Sequence, residues 1–190
     1  MQLKLLILDF DGTLADTRQA NAKAYVAALK EFGYELTEAD YLKRYFGMRC
    51  PEFLRALGCR SEEEIDRIRR RKIALYPAFF DSVRINRPLL DFSRQFRAQG
   101  GKVWIVSTGQ PENLRNAMRY LGLEDAVDGL IAGHDVTRHK PSPDGFLLAM
   151  ERAGATPAET LIFEDSAVGI EAARRSGALY VQVDLSRWPE

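Results

Sequence analysis

Hydrophobic and polar positions divide the chain into short apolar runs separated by longer segments of helical period. Leu3 to Leu8 is nearly unbroken apolar sequence and stops at Asp9-Phe10-Asp11-Gly12. A run of that length without alternation predicts a strand buried on both faces, as in a parallel sheet. Similar runs follow at Val103 to Val106, Gly129 to Ala132, Leu161 to Phe163 and Leu179 to Val183. Helical patterns alternate with them. Pro111 opens one, with Leu114, Ala117, Met118 and Leu121 on one face and Gly122 as the stop. Ser142-Pro143 opens a second, with Phe146, Leu147 and Met150 turned inward and Gly154 closing it. A third spans Ala167 to Ser176 and ends at Gly177. Strand and helix repeated in this order predict an α/β fold built on a doubly wound parallel sheet.

Between the first strand and Pro88 the rhythm changes, and no strand pattern occurs. Ala20 to Phe32 has a helical period, with Ala24, Ala27 and Ala28 on one side and Gly33 after it. Thr37-Glu38-Ala39-Asp40 carries a helix-start pattern, and Ser61 with Glu64 forms a capping-box pattern. These features predict an inserted all-helical domain over 16–85, with 1–15 and 86–190 forming the α/β core. A lid over an active site is one use for such an insert. Within it, Arg67, Arg69, Arg70, Arg71 and Lys72 follow Glu62 to Glu64, an order that suits the helix dipole and predicts a solvated face.

Composition narrows the function classes. The 190 residues carry 27 basic and 27 acidic side chains, so no overall field recruits nucleic acid or an anionic membrane. No apolar run approaches the roughly 18 residues that cross a bilayer, and the first run turns acidic too soon for a signal peptide. A cytoplasmic protein, monomeric or homodimeric, is the expectation. Cys50 and Cys59 lack CxxC spacing and are expected as free thiols. His134 and His139 lie on the path to Lys140 and are expected on an exposed loop.

In open α/β sheets, ligands sit beyond the carboxyl ends of the strands. Asp9 and Asp11 follow the first apolar run, Ser107 and Thr108 the second, and Glu164 and Asp165 the fourth; Lys140 lies between the third strand and its helix. Phosphoryl transfer calls for such a set, because its transition state is highly charged. Carboxylates alone would repel a phosphate, and a divalent cation held between them reverses the local sign. Mg2+ prefers oxygen ligands, which Asp9 and Asp165 can supply. Lys140 would neutralise phosphoryl oxygens, and Ser107 or Thr108 with nearby backbone N–H groups, Gly109 included, would bind the remaining ones. Asp9 and Asp11 are two apart, so one carboxylate can attack phosphorus while the other moves a proton.

These segments resemble the motifs of the haloacid dehalogenase superfamily. Asp9-Phe10-Asp11-Gly12-Thr13 is similar to its first motif, Ser107-Thr108-Gly109 to its second, Lys140-Pro141-Ser142-Pro143-Asp144 to its third, and Glu164-Asp165-Ser166 to its fourth. The helical insert resembles the cap of the branch containing phosphoglycolate phosphatases and β-phosphoglucomutases. The resemblance implies Asp9 as nucleophile and Mg2+ ligand, and Asp11 as general acid/base and main-chain ligand. It makes Ser107 a phosphate binder, Lys140 the residue that orients the phosphoryl group, and Asp165 and Glu164 metal-side carboxylates. Gly109 departs from a frequent asparagine. The implied function is a phosphatase for a small-molecule phosphate ester, with no nucleic-acid or membrane partner. The alternatives are a phosphosugar mutase or phosphotransferase on the same aspartate, and a non-catalytic regulatory protein on the same fold. Asp11 argues against dehalogenation, which has no phosphate leaving group to protonate. Asn21 stands about where the mutases carry a histidine, which favours water as acceptor. Tyr45-Phe46-Gly47-Met48-Arg49 is the candidate specificity loop, with Arg49 meeting a second anionic group.

Overall fold

A computed structural model describes residues 2–48 and 50–188. Arg49, the candidate specificity residue, lies outside the described residues. The chain divides into two compact units, one formed by residues 1–16 and 84–190 and the other by 17–83.

The first unit is an α/β layer structure. Its strands are β1 (Leu5–Leu8), β4 (Lys102–Val106), β5 (Gly129–Ile131), β6 (Thr160–Glu164) and β7 (Leu179–Gln182). They form one sheet in the order β5-β4-β1-β6-β7, with every pairing parallel. The central strand is fully buried, as its unbroken apolar run requires. Leu5 and Ile7 point to one face, where Trp104, Val106 and Ile162 join Phe146, Ala149 and Met150 of α7 (Asp144–Ala153) and Ala172 and Ala173 of α8 (Ala167–Ser176). The opposite face receives α5 (Arg87–Ala98), whose Phe92 ring lies 6.0 Å from that of Phe163. α6 (Pro111–Tyr120) follows β4 and buries Leu114, Ala117 and Met118.

Two expectations on this unit are corrected. Leu147 is 41% exposed, because the inward stripe of α7 runs through Phe146, Ala149, Met150 and Ala153 instead. The last apolar run does form β7, but at the sheet edge, where all four residues are exposed. The pattern also hid a two-stranded antiparallel ribbon of β2 (Ala15–Asp16) and β3 (Arg84–Ile85). Asp16 and Arg84 pair across it at 3.2 Å.

The second unit is helical. It contains α1 (Arg18–Glu31), α2 (Glu38–Arg44), α3 (Cys50–Ala56), α4 (Glu62–Leu75) and a 3-10 segment at Tyr76–Ser82. Thr37 accepts the Asp40 N–H at 3.0 Å and Ser61 the Glu64 N–H at 3.1 Å, so two helix starts are capped where the sequence predicts. The core gathers Ala22, Tyr25, Leu29, Tyr41, Tyr45, Phe53, Leu54, Ile65 and Ile68. Tyr25 meets Phe53 edge to face at 4.8 Å between ring centroids. Cys50 and Cys59 are both free thiols. No helix among the described residues is long and apolar enough to cross a membrane.

Lys72 overturns the solvated-face expectation. It is 4% exposed, whereas Arg67, Arg69, Arg70 and Arg71 stay at or near the surface. Its position explains this, since Ile65, Ile68 and Lys72 share the apolar stripe of α4. The ammonium donates to Asn21 Oδ1 at 2.7 Å and lies 3.8 Å from the Tyr76 ring centroid.

Candidate active site

The loop after β1 makes a tight turn. Asp9 is buried and Asp11 partly buried. Between them and β2, Ala15 N–H donates to Phe10 O at 2.9 Å and Gly12 N–H to Ala15 O at 2.8 Å. Gly12 has a φ of +99°, and a Cβ there would stand 2.2 Å from Asp165 Oδ2. Only glycine lets this backbone turn and also leaves room for the carboxylate that faces it.

Lys140 reaches in from the segment between β5 and α7. Its Nζ lies 2.5 Å from Asp9 Oδ1, 2.6 Å from Glu164 Oε2 and 3.2 Å from Val106 O. The Lys140 and Asp9 side chains are 8% and 9% exposed, so this contact is largely dry. Glu164, the last residue of β6, is 1% exposed. Its other oxygen accepts from the Ser166 hydroxyl at 2.7 Å and the Ser166 N–H at 3.1 Å. Asp165 comes next, and its Oδ1 accepts from the Thr13 hydroxyl at 3.0 Å.

From the second strand end, Ser107 is buried and its hydroxyl donates to Asp11 Oδ2 at 3.4 Å. The Gly109 N–H donates to Ser107 Oγ at 3.0 Å. A Cβ on Gly109 would come 3.2 Å from that oxygen, so the small residue leaves the hydroxyl its room. Thr108 is exposed. His134 is exposed, but His139 is half-buried and its Nδ1 has no hydrogen-bond partner, so the expectation of a fully exposed loop holds for one histidine of the two.

Asp9, Asp11, Ser107, Lys140, Glu164 and Asp165 are therefore brought to one edge of the sheet by three strand ends and the segment before α7. Two contributors carried no assigned role in the sequence. Thr13 holds Asp165, and Ser166 holds Glu164 while also capping α8 through the Gly169 N–H at 3.1 Å. A serine directly before the helical pattern is a capping signal, but the second bond of Ser166 depends on the tertiary turn.

The charge balance fits a divalent cation. Carboxylate oxygens of Asp9, Glu164 and Asp165 all lie within 4.8 Å of one another. Three carboxylates face one ammonium, which leaves two negative charges uncompensated when all are ionised. The donors are hard oxygens, as Mg2+ requires. Burial pushes the Asp9 carboxyl well above its usual range; Lys140 opposes this, and the charges of Glu164 and Asp165 add to it. Burial also opposes the charged form of Lys140, but Asp9 and Glu164 outweigh it and hold the ammonium above its ordinary value.

These shifts set a pH dependence for the protein stripped of divalent ions by a chelator. Burial, followed by the charge of Glu164, pushes Asp165 up to about 6. Its native-state value lies above its unfolded value, so the native state binds the proton more tightly. Stability from this source is complete below about pH 4 and is lost as pH rises through about 6. After solvent screening the loss is about 2 kcal/mol. Thermal unfolding in chelator should fall across that interval, and added Mg2+ should raise the midpoint more at about pH 7.5 than at about pH 5. Equal shifts at both values would remove Asp165 from the candidate cation site.

Comparison with known proteins places the chain in a family. A family model described as haloacid dehalogenase-like hydrolase matches residues 6–183. The chain is 32% identical over 183 residues to the fructose-1-phosphate phosphatase YqaB of Escherichia coli K12, covering 95% of this chain and 96% of that protein. It is 30% identical over 181 residues to a phosphorylated carbohydrates phosphatase of Thermotoga maritima, covering 92% and 82%. The crystal structure of CbbY from Rhodobacter sphaeroides in complex with phosphate shares the fold, with a TM-score of 0.82 at 23% identity over 100% of this chain and 90% of that one. The chain belongs to the haloacid dehalogenase-like hydrolases, in the branch of the phosphoglycolate phosphatases and β-phosphoglucomutases, and it is a phosphohydrolase.

Proposed function

We propose that this protein is a Mg2+-dependent phosphatase that cleaves a small-molecule phosphate monoester through an aspartyl-phosphate on Asp9. The observation that carries the reading is the meeting of Asp9, Lys140, Glu164 and Asp165 within hydrogen-bond or ligand distance at the end of the central strand. Asp9, Asp165 and Glu164, with the Asp11 main-chain carbonyl, would hold the ion. When bound, Mg2+ offsets the carboxylates' repulsion and draws charge from the phosphoryl oxygens.

The protein's own groups do the rest. The Asp9 carboxylate attacks phosphorus in line with the ester oxygen. A new Asp9 O–P bond forms as the P–O bond to the leaving alcohol breaks. Asp11 gives its proton to that oxygen and later takes one from the water that hydrolyses the acyl phosphate, releasing inorganic phosphate and restoring both carboxyls. Ser107 and the N–H groups of the turn at Thr108–Gly109 bind phosphoryl oxygens. Lys140 neutralises charge shared between Asp9 and the phosphoryl group.

The two relatives named for phosphorylated carbohydrates make sugar phosphates the first substrates to try. In a panel of sugar phosphates and other phosphorylated metabolites, phosphate release should require Mg2+ and stop in chelator. No release from any member would sink the hydrolytic reading. The mutase alternative is disfavoured by Asn21. Its amide donates to Thr17 O and Oγ1 at 3.1 Å and accepts from Lys72, and an amide cannot take a proton from a sugar hydroxyl at neutral pH.

A further inference from the structure

Asn86 is absent from the site described above, and no motif includes it, yet all of its polar atoms are engaged. It lies at the start of α5 and is 9% exposed. Its Oδ1 accepts the Leu89 N–H at 3.2 Å and caps that helix. Its backbone oxygen accepts the Leu90 N–H at 2.9 Å. The two remaining groups face the other way. The backbone N–H donates to Leu14 O at 2.9 Å, and the side-chain Nδ2 donates to Thr13 O at 3.1 Å. Both acceptors belong to the turn that carries Asp9 and Asp11. Thr13, fully buried, passes the constraint on, since its hydroxyl donates to Asp165 Oδ1 at 3.0 Å. The backbone of Gly12 lies against the other oxygen of the same carboxylate.

We infer that Asn86 is a positioning residue for the cation site: by clasping the Thr13–Leu14 turn to the start of α5, it fixes the Thr13 hydroxyl and so the orientation of Asp165. The inference rests on reading Asp9 and Asp165 as metal ligands. Its physical basis is the buried Thr13 carbonyl, which loses its side-chain donor if the amide is removed. A turn freed at Thr13 lets the Asp165 carboxylate rotate. Partners that orient a ligand in this way typically affect metal affinity about 10- to 100-fold.

Capping and clasping can be separated. Asp and Ser cap helices about as well as Asn, but neither supplies an amide donor. In Asn86→Asp and Asn86→Ser, the cap on α5 is kept and the bond to Thr13 is lost. Calorimetric titration of the chelator-treated full chain with Mg2+ alone should show the apparent Kd raised about tenfold in both variants. Their thermal midpoints without metal should stay within about 4 °C of the parent. Thr13→Val should weaken Mg2+ to a similar degree, and combining it with Asn86→Asp should add little, because both act through one hydroxyl. An unchanged Kd in the Asn86 variants, or full additivity with Thr13→Val, would overturn the role. So would failure of both variants to fold, since the amide would then serve the fold. If the parent protein does not bind Mg2+, the metal-site reading itself fails, and that result is distinct from a parent that binds and variants that bind equally well.

Discussion

Asp9→Asn is expected to abolish phosphate release, lowering kcat by at least about 10^4, without lowering the stability of the fold. The two side chains have nearly the same shape. The amide oxygen can still accept from Lys140 Nζ, which lies 2.5 Å from Asp9 Oδ1. On the proposed mechanism the nucleophile is what disappears, because a neutral amide does not attack phosphorus. The contribution left by Lys140, Ser107 and the cation would bind the ester without opening a path to the acyl phosphate. Stability should move the other way. Asp9 sits among Glu164 and Asp165 in a buried position, and burial holds its carboxyl above the usual range. Replacing it removes one of three crowded negative charges. In chelator at about pH 8, the thermal midpoint of Asp9→Asn should equal or exceed that of the parent. Retained turnover would refute the covalent mechanism. A collapsed midpoint would show instead that the Asp9–Lys140 pair holds the fold.

The parts of this protein that the sequence reveals are those fixed by local pattern. The unbroken run at Leu5–Leu8 can only be a strand covered on both faces, and the carboxylates, hydroxyl and lysine after successive strands must converge if the sheet is parallel. What stays hidden depends on partners far apart in the chain. Thr13 and Asp165 are 152 positions apart, and nothing in either segment announces their bond. Asn86 looks like a helix cap and is one, but its second bond is made to a turn 73 positions away. Lys72 misleads by composition, since four arginines around it lie at the surface while its own spacing from Ile65 and Ile68 places it in the stripe. The ribbon of β2 and β3 is too short, at two residues each, for any periodicity to register.

Lys140→Ala should damage activity and stability together, which separates it from Asp9→Asn. On the proposed mechanism, loss of the ammonium removes the neutralising charge for the phosphoryl oxygens, and removal of one such group typically costs about 10^2 to 10^3 in kcat. The stability effect comes from what is left behind. Asp9 and Glu164 each lose their ion pair, while both stay buried among carboxylates. Removing one partner of a buried pair destabilises by roughly 3–5 kcal/mol, because the survivor is uncompensated. Lys140→Arg should not restore activity, since the guanidinium fork is planar and larger than the point charge held between two carboxylates and Val106 O. The pH dependence gives the diagnostic. Without Lys140, the Asp9 carboxyl rises further, so the native state of the variant keeps its proton to higher pH. The difference in thermal midpoint between parent and variant, measured in chelator, should therefore be small near pH 4 and grow as pH rises toward about 8. Added Mg2+ should recover part of the gap at the higher pH by supplying the missing positive charge. A gap that is constant across pH would mean that the loss is one of packing, through the aliphatic stem, and that the ammonium contributes little to holding the carboxylates together.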